Sequence, residues 1–355
     1  MCVKNEAKGL EKAILSCRSF VDEIIISVDN KSSDSTAEIA KKYADVLMYH
    51  DFDDDFAKMR NKAHACASGD WILFLDGHEY VTSSPDLDKM LELPVEGLLV
   101  SVRMENGAIF RNPRLYKNGV QFAGAVHEKS LCKNVALYPA FVVQHDRVNF
   151  QEPESAKERS IQRDEQTPRI MAEEIKKDPK NIRAIFHMAL FYTGTGEYSK
   201  AIKFFKKYLS ISKLEGERWF VCFQIALCFL LQKKHFRAFW WAEMANKETA
   251  NRWEIRKMKG MIFFSAGKWS KALDWLLTSF EKNECDCPYI PWPRDISGTW
   301  NLAGECFLKL KNYEKARLCF DHAFEICEDE TQKKILKMRV DSLNFLTKNE
   351  VGGKM

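Results

Sequence analysis

Short apolar runs alternate with amphipathic stretches through the first 145 residues, and the two follow different periods. Glu23–Val28, Val46–Tyr49, Trp71–Leu75, Leu98–Val102 and Phe141–Gln144 are rich in β-branched and aromatic residues, as buried strands are. Between them, Ala7–Ser19, Ser35–Tyr43, Phe56–Ala67 and Pro85–Leu91 space their apolar positions as a helix with one buried face does. Strands alternating with single helices predict right-handed βαβ units and a mostly parallel sheet covered on both faces. Ligands of such sheets gather at the carboxyl ends of the strands. Asp29 and Asp76 both fall there, each directly after an apolar run.

The turn after Asp29, "DNKSSDST", supports two readings. A carboxylate at a strand end can meet a ribose hydroxyl, and the helix that follows offers unpaired N–H groups. Equally, Asp34, Ser35 or Thr36 is a good helix cap.

Beyond about residue 155 the strands stop. Residues 155–178 are charged and helical in period, broken by Pro168 and Pro179. Then "FHMALFYTGTGEYSKAIKFFKKYL" recurs in shape as "CFQIALCFLLQKKHFRAFWWAEMA", "KMKGMIFFSAGKWSKALDWLLTSF" and "NLAGECFLKLKNYEKARLCFDHAF". Each unit has a small residue in a first helix, a turn, an aromatic (Tyr198, Phe236, Trp269, Tyr313) and an alanine-rich second helix. The aromatics recur at intervals of 38, 33 and 44 residues, the pattern of tetratricopeptide helix pairs with insertions. The proline-rich "CDCPYIPWPRD" (Cys285–Asp295) reads as the insertion before the last unit, and the aromatic and alanine stripe as packing between helices. The expected layout is an α/β domain over 1–150, a helical linker over 151–180, repeats over 181–345 and a disordered tail over 346–355.

Composition narrows the class. Hydrophobic residues are 46% and charged residues 29% of 355, an ordinary globular balance. A net charge of +4 does not demand a polyanionic partner. No apolar run approaches the roughly 20 residues of a membrane span. Lys4 and Glu6 leave no room for a secretion signal, and the cysteines lie scattered in apolar segments, so a reducing cytoplasm is expected.

Five stretches in order carry a resemblance: "VKNE" (Val3–Glu6), "DEIIISVDNKSSDST", "DDFAKMRN" (Asp54–Asn61), "GDWILFLDGHE" and "GAVHE" (Gly124–Glu128). Together they resemble the nucleotide-sugar-binding core of family-2 glycosyltransferases, inverting enzymes of GT-A fold. Within that family they are similar to the bacterial branch with C-terminal tetratricopeptide repeats, which includes enzymes that glycosylate cysteine or serine of peptides. The resemblance implies a Rossmann-like GT-A domain and a UDP-sugar donor. It places Asp29 on the uracil or ribose, with Asn5 and Glu6 nearby, and turns Arg60 and Asn61 toward the nucleotide. Asp76-Gly77-His78 stands where the family carries Asp-x-Asp, implying Mn²⁺ or Mg²⁺ at the diphosphate, and imidazole favours Mn²⁺. His127 is implied at the metal or the diphosphate, and His145 matches a late family histidine whose Gly and Tyr neighbours are missing here. Glu128 is the first candidate for the base that takes the acceptor proton, and Glu79 the second. Arg111 and Arg114 are expected on phosphate or on an anionic acceptor. Lys31 replaces part of the family's glycine-containing turn and either contacts phosphate or marks another backbone path.

A peptide or protein acceptor is favoured. A glycan, or a hydroxymethylated base in DNA, is the alternative, since "KKYLSISK" and "KKHFR" with nearby aromatics suit nucleic acid as well as solvated helix faces. A third possibility is a non-catalytic scaffold that binds nucleotide sugars.

Overall fold

The computed structural model describes all residues except 85–86, 106–108, 151–152, 214, 250–251, 281–295, 328 and 353–355. The chain divides into two compact units, one over Met1–Met188 and the other over the described residues from Ala189 on.

In the first unit, β1 (Cys2–Val3), β2 (Ile25–Asp29) and β3 (Val46–His50) form a parallel sheet with β1 and β3 on either side of β2. Helix α1 (Ala7–Cys17) buries Leu10, Ala13, Ile14 and Cys17 at helical spacing, and Leu10 and Ile14 join Val3, Ile24, Ile26 and Val28 in one core. Helix α2 (Thr36–Tyr43) adds Ala40 to it. Helix α3 (Phe56–His64) and β4 (Trp71–Leu73) follow.

The second sheet corrects the expectation of a mostly parallel one. Its order is β4, β7 (Ile109–Lys117), β6 (Gly97–Arg103), β10 (Val135–His145), β5 (Glu79–Ser83), and only β6 and β10 run parallel. Strands β5 and β7 went unpredicted because their apolar residues are interrupted by Thr82, Arg111, Asn112 and Arg114. That composition suits strands with one polar face. Leu98, Val100, Val102, Leu115, Phe141 and Val143 form the core here, with Met90 of α4 (Leu87–Leu91). A two-stranded ribbon, β8 (Phe122–Ala123) with β9 (Lys129–Ser130), presents residues 124–128 as its hairpin loop.

Helices α5 (Arg147–Phe150) and α6 (Pro153–Lys177) complete this part of the chain. Pro168 does not break α6, contrary to expectation; a proline withdraws one helical hydrogen bond and bends a helix without having to end it. Helix α7 (Ile182–Gly194) opens the repeats.

The repeats pair α7 with α8 (Tyr198–Ile211), α9 (Glu215–Leu231) with α10 (His235–Glu248), α11 (Trp253–Ser265) with α12 (Trp269–Thr278), and α13 (Ile296–Lys309) with α14 (Tyr313–Ile326). The small positions behave as packing residues. Ala201, Ala238, Ala272 and Ala316 are fully buried in the second helices. In the first helices, a Cβ on Gly260 would meet Leu276 at 2.7 Å, and one on Gly304 would meet Phe320 at 2.6 Å. The aromatic stripe is less uniform, since Phe236 is 85% exposed. Helix α15 (Glu330–Gly352) runs into the stretch expected to be a tail, and the insertion Cys285–Asp295 lies outside the described residues. Among the described residues no helix is long and apolar enough to cross a membrane, and every described cysteine is free.

Candidate functional site

Asp29 ends β2 with its side chain buried, and its two oxygens have separate tasks. Oδ1 accepts the Lys31 N–H at 2.8 Å, closing an Asx turn, and Oδ2 lies 3.5 Å from Lys4 Nζ. Asn5 Oδ1 accepts the Ser33 N–H at 2.8 Å. Asn5 itself takes positive φ (+51°), which asparagine tolerates, whereas no residue of 29–34 does. The turn therefore needs no glycine, and Lys31 stays exposed above another backbone path.

The capping residues serve a second helix as well as their own. Asp34 Oδ1 accepts from Thr36 N at 3.1 Å, while Thr36 Oγ1 accepts the Glu6 N–H at 2.8 Å and Asp34 Oδ2 the Ala7 N–H at 3.1 Å. Asp34 and Thr36 thus satisfy donors at the start of α1 and tie it to the start of α2.

Asp76-Gly77-His78 follows β4 and lies against α1 across an interlocked pair of glycines. A Cβ on Gly9 would fall 2.5 Å from the Gly77 carbonyl oxygen, and one on Gly77 would fall 2.7 Å from Glu6 Cβ. No side chain fits at either position, so the backbones meet directly. Glu6, buried, faces His78 Nδ1 through Oε1 at 3.3 Å. His78 Nε2 in turn meets His145 Nε2 at 3.2 Å, and His145 Nδ1 lies 3.3 Å from Glu105 Oε1. Burial opposes a charge on His78, but the Glu6 hydrogen bond and the Asp76 charge outweigh it and raise its pKa. Burial likewise opposes ionisation of Asp76, yet the Arg114 and Arg60 charges hold its carboxyl well below the usual range.

Glu79 and Arg114 are interior supports. Glu79, fully buried, receives Arg114 at 2.5 Å on Oε1 and the Asp76 N–H at 3.2 Å on Oε2. Arg114 also reaches Asp76 at 3.8 Å. With both oxygens engaged, Glu79 is placed to fix the Asp76 turn rather than to accept a proton from an acceptor. Arg111 is turned to the Ser101 hydroxyl of β6.

Arg60 and Asn61 have roles that the sequence does not show. Arg60 is buried with its guanidinium 3.5 Å above the Phe74 ring, and it pairs with Glu128. Asn61 exchanges two hydrogen bonds with the Phe122 backbone, at 3.0 and 2.8 Å, pinning β8 to α3. One turn on from Arg60, His64 sits among Phe74, Tyr116 and Phe122, and neither ring nitrogen has a hydrogen-bond partner. Burial, with the charges of the chain's amino terminus and Arg60, lowers its pKa to about 4.

The structure thus joins Glu6, His78 and His145 in one chain of contacts and Asp76, Glu79 and Arg114 in another, sets Lys4 on Asp29 and Asn5 on the turn after it, and pairs Arg60 with Glu128 beside the ribbon loop. His127 is stacked on His187 with ring centroids 3.8 Å apart. Among the described residues no three His, Cys, Asp or Glu side chains are grouped to hold a metal ion. His78 and His145 face each other Nε2 to Nε2, so one ring donates to the other, with a carboxylate behind each Nδ1. A divalent ion held there would require that shared hydrogen to leave and both lone pairs to turn to the ion. Lys4 and Glu105 were not foreseen; Lys4 lies inside "VKNE", whereas nothing around Glu105 marks it.

A family described as Glycosyl transferase family 2 matches residues 1–145, and one described as Tetratricopeptide repeat matches 182–213 and 297–330. The SPbeta prophage-derived glycosyltransferase SunS of Bacillus subtilis is 27% identical over 252 residues, 66% of this chain and 58% of SunS. A TPR repeat-containing protein of Synechococcus elongatus is 35% identical over 137 residues, covering 36% of this chain and 34% of its own. The chain therefore spans less than two thirds of either relative. A thermophilic TPR protein of Thermus thermophilus, TTC0263, overlays 54% of this chain and 95% of its own at a TM-score of 0.40 and 12% identity. Residues 1–145 are thus a domain of the Glycosyl transferase family 2 type, followed by segments that match the Tetratricopeptide repeat model.

Proposed function

We propose that the site transfers a sugar, with inversion, from a nucleotide sugar to an acceptor, a UDP-sugar and a peptide or protein being the favoured pair. The observation that carries this reading is the packing of Asp76-Gly77-His78 against Gly9 and Glu6, the latter in the same "VKNE" stretch whose Lys4 pairs with Asp29, within the segment that the family-2 model matches.

Asp29 Oδ2 is the acceptor for a ribose hydroxyl or a base N–H, and exposed Lys31 is available to the diphosphate. Asp76, His78 and His145 are the residues that would hold a divalent ion, Mn²⁺ before Mg²⁺ given the imidazoles, with Glu6 and Glu105 behind them. Bound there, the ion supplies positive charge to the departing diphosphate. Glu128 takes the proton of the acceptor hydroxyl or thiol as that atom bonds to the anomeric carbon. The bond from that carbon to the phosphate oxygen breaks on the opposite face, and the electron pair leaves with the nucleoside diphosphate. Arg60 orients Glu128 from its seat on Phe74. The paired helices of the repeats are the favoured docking element for a peptide, in the cytoplasm.

Incubation with a panel of nucleotide sugars and Mn²⁺, reading free nucleoside diphosphate, tests the reading. Slow donor hydrolysis is expected with one donor and is abolished in Asp76→Ala. Release from none of the donors would leave a binding scaffold as the better description. Chelator without effect on the wild-type rate would remove the metal from the site.

A further inference from the structure

The loop that carries Glu128 is held by residues beyond the matched family-2 segment. The Ala125 carbonyl accepts the Phe56 N–H at 2.9 Å, which fixes one side of the loop to the start of α3. The other ties come from α6 and α7. Glu174 Oε1 accepts the Ala125 N–H at 2.8 Å. Arg183 donates from Nε to the His127 carbonyl, and the His187 ring stacks on His127 with an interplanar angle of 10°. His127 holds positive φ (+52°) and Gly124 φ of +100°. Histidine enters that region more readily than most residues, and glycine enters it freely. The contacts from Glu174, Arg183 and His187 all lie within the first compact unit. The loop is therefore tied at Ala125 and His127, immediately before the candidate base. Burial, with the neighbouring His127 and Arg183, lowers the His187 pKa far below its ordinary value. The stack is thus one of an uncharged ring, without repulsion between two imidazolium ions.

We infer that Glu174, Arg183 and His187 are positioning residues for Glu128, so that α6 and α7, both beyond the family-2 segment, form part of the transfer site. This rests on the glycosyl-transfer reading of Glu128, and it adds that the carboxylate's aim is set from α6 and α7. A displacement of about 1 Å at a reacting group costs on the order of a hundredfold in rate. Loosening the loop is therefore expected to act on turnover and to spare the donor, whose contacts lie at Asp29 and Asp76.

The test uses full-length variants. Glu174→Ala removes the acceptor for Ala125 N–H, whereas Glu174→Gln retains an oxygen there. Arg183→Ala removes the grip on the His127 carbonyl, and His187→Phe keeps a flat ring while His187→Ala does not. Hydrogen exchange at the Ala125 amide is read beside kcat and the donor KM. Glu174→Ala is expected to speed that exchange and to lower kcat about tenfold to a hundredfold with donor KM unchanged, and Glu174→Gln to restore both. His187→Ala and Arg183→Ala should lower kcat in the same way, with His187→Phe near wild type. A purely structural role would lower the melting temperature without splitting kcat from KM. Ala125 exchange unchanged in Glu174→Ala, or kcat within twofold of wild type in both alanine variants at 174 and 183, overturns the inference. If the wild type turns over no donor, the functional reading fails separately, and slow Ala125 exchange in wild type set against fast exchange in Glu174→Ala still decides whether α6 holds the loop.

Discussion

At the Asp29 end of the site, the longest ties that shape the backbone span 27 to 30 positions, as in Ala7 to Asp34, Asn5 to Ser33 and Glu6 to Thr36. At the Glu128 end one tie reaches back to Phe56, and two run forward over 49 and 56 positions, from Ala125 to Glu174 and from His127 to Arg183. The first end is built by polar side chains inside recognisable motifs. The second draws as well on helix residues beyond the five family-2 stretches. The difference teaches how the two candidate ends are held: the Asp29 turn is braced within its own motifs, while the Glu128 loop also borrows its rigidity from later helices.

The sharpest way to break that comparison is to remove the candidate base alone. Glu128→Gln keeps size and much of the hydrogen bonding and loses proton-accepting capacity. Initial rates are expected to fall on the order of 10²–10⁴-fold. Donor affinity by titration calorimetry should change little, since Glu128 is bonded to Arg60 and not to the Asp29 turn. Near-normal turnover would move the base to another residue.

Acid should weaken the loop side through His64. Its pKa is about 4 in the folded protein, below the 6.5 of an exposed histidine, so the unfolded chain binds the proton more readily. The contribution of the neutral ring is fully present above pH 6.5, is lost as pH falls, and levels off near pH 4. Over that window it amounts to about 3 kcal/mol. Urea melts at stepped pH should show the decline, and His64→Leu should flatten it.

Gly9→Ala probes the Asp76 side. Its Cβ would press on the Gly77 carbonyl and on His78 Cα, 3.2 Å away, at a cost of about 1–3 kcal/mol in overpacking. Donor KM should rise with the loss of stability, because the displaced backbone carries Asp76 and His78. Unchanged donor KM would show that the two backbones have room to separate. The smallest effect is expected from Asp34→Ala, about 1 kcal/mol for the lost cap, read as a shift in the melting curve with the Ala125 exchange rate unchanged.

Much of the fold was legible because strand and helix periods are local. The runs around β2, β3, β4, β6 and β10 and the helices α1, α2, α3 and α4 all stand near where the pattern put them. Strands β5 and β7 escaped because one face of each carries charged or hydroxyl residues, and with them went the antiparallel character of the second sheet. In the site, Asp29 and Asp76 could be singled out from their places after apolar runs, and His78 from the motif it shares with Asp76. The engagement of Glu79 by Arg114, the pairing of Arg60 with Glu128, and the clamp of Asn61 on Phe122 could not. Each joins side chains far apart in the chain, and no local period records which of two charged residues will meet. A motif names the residue type and leaves its partner to the fold.

The forward reach of the loop contacts also has a consequence for how the protein is made. Translation delivers Asp29, Asp76 and Glu128 well before Glu174, Arg183 and His187 emerge. A nascent chain that has just released β10 therefore holds every group assigned to donor and acceptor chemistry, yet lacks the ties from α6 and α7 on the Glu128 loop. Such a chain is expected to engage a nucleotide sugar before it can hand the sugar on, so that transfer switches on only once the ribosome has passed α7. Arrested chains of increasing length, assayed in parallel for donor capture and for transfer, would show the two activities appearing at different lengths. Their simultaneous appearance would contradict that order.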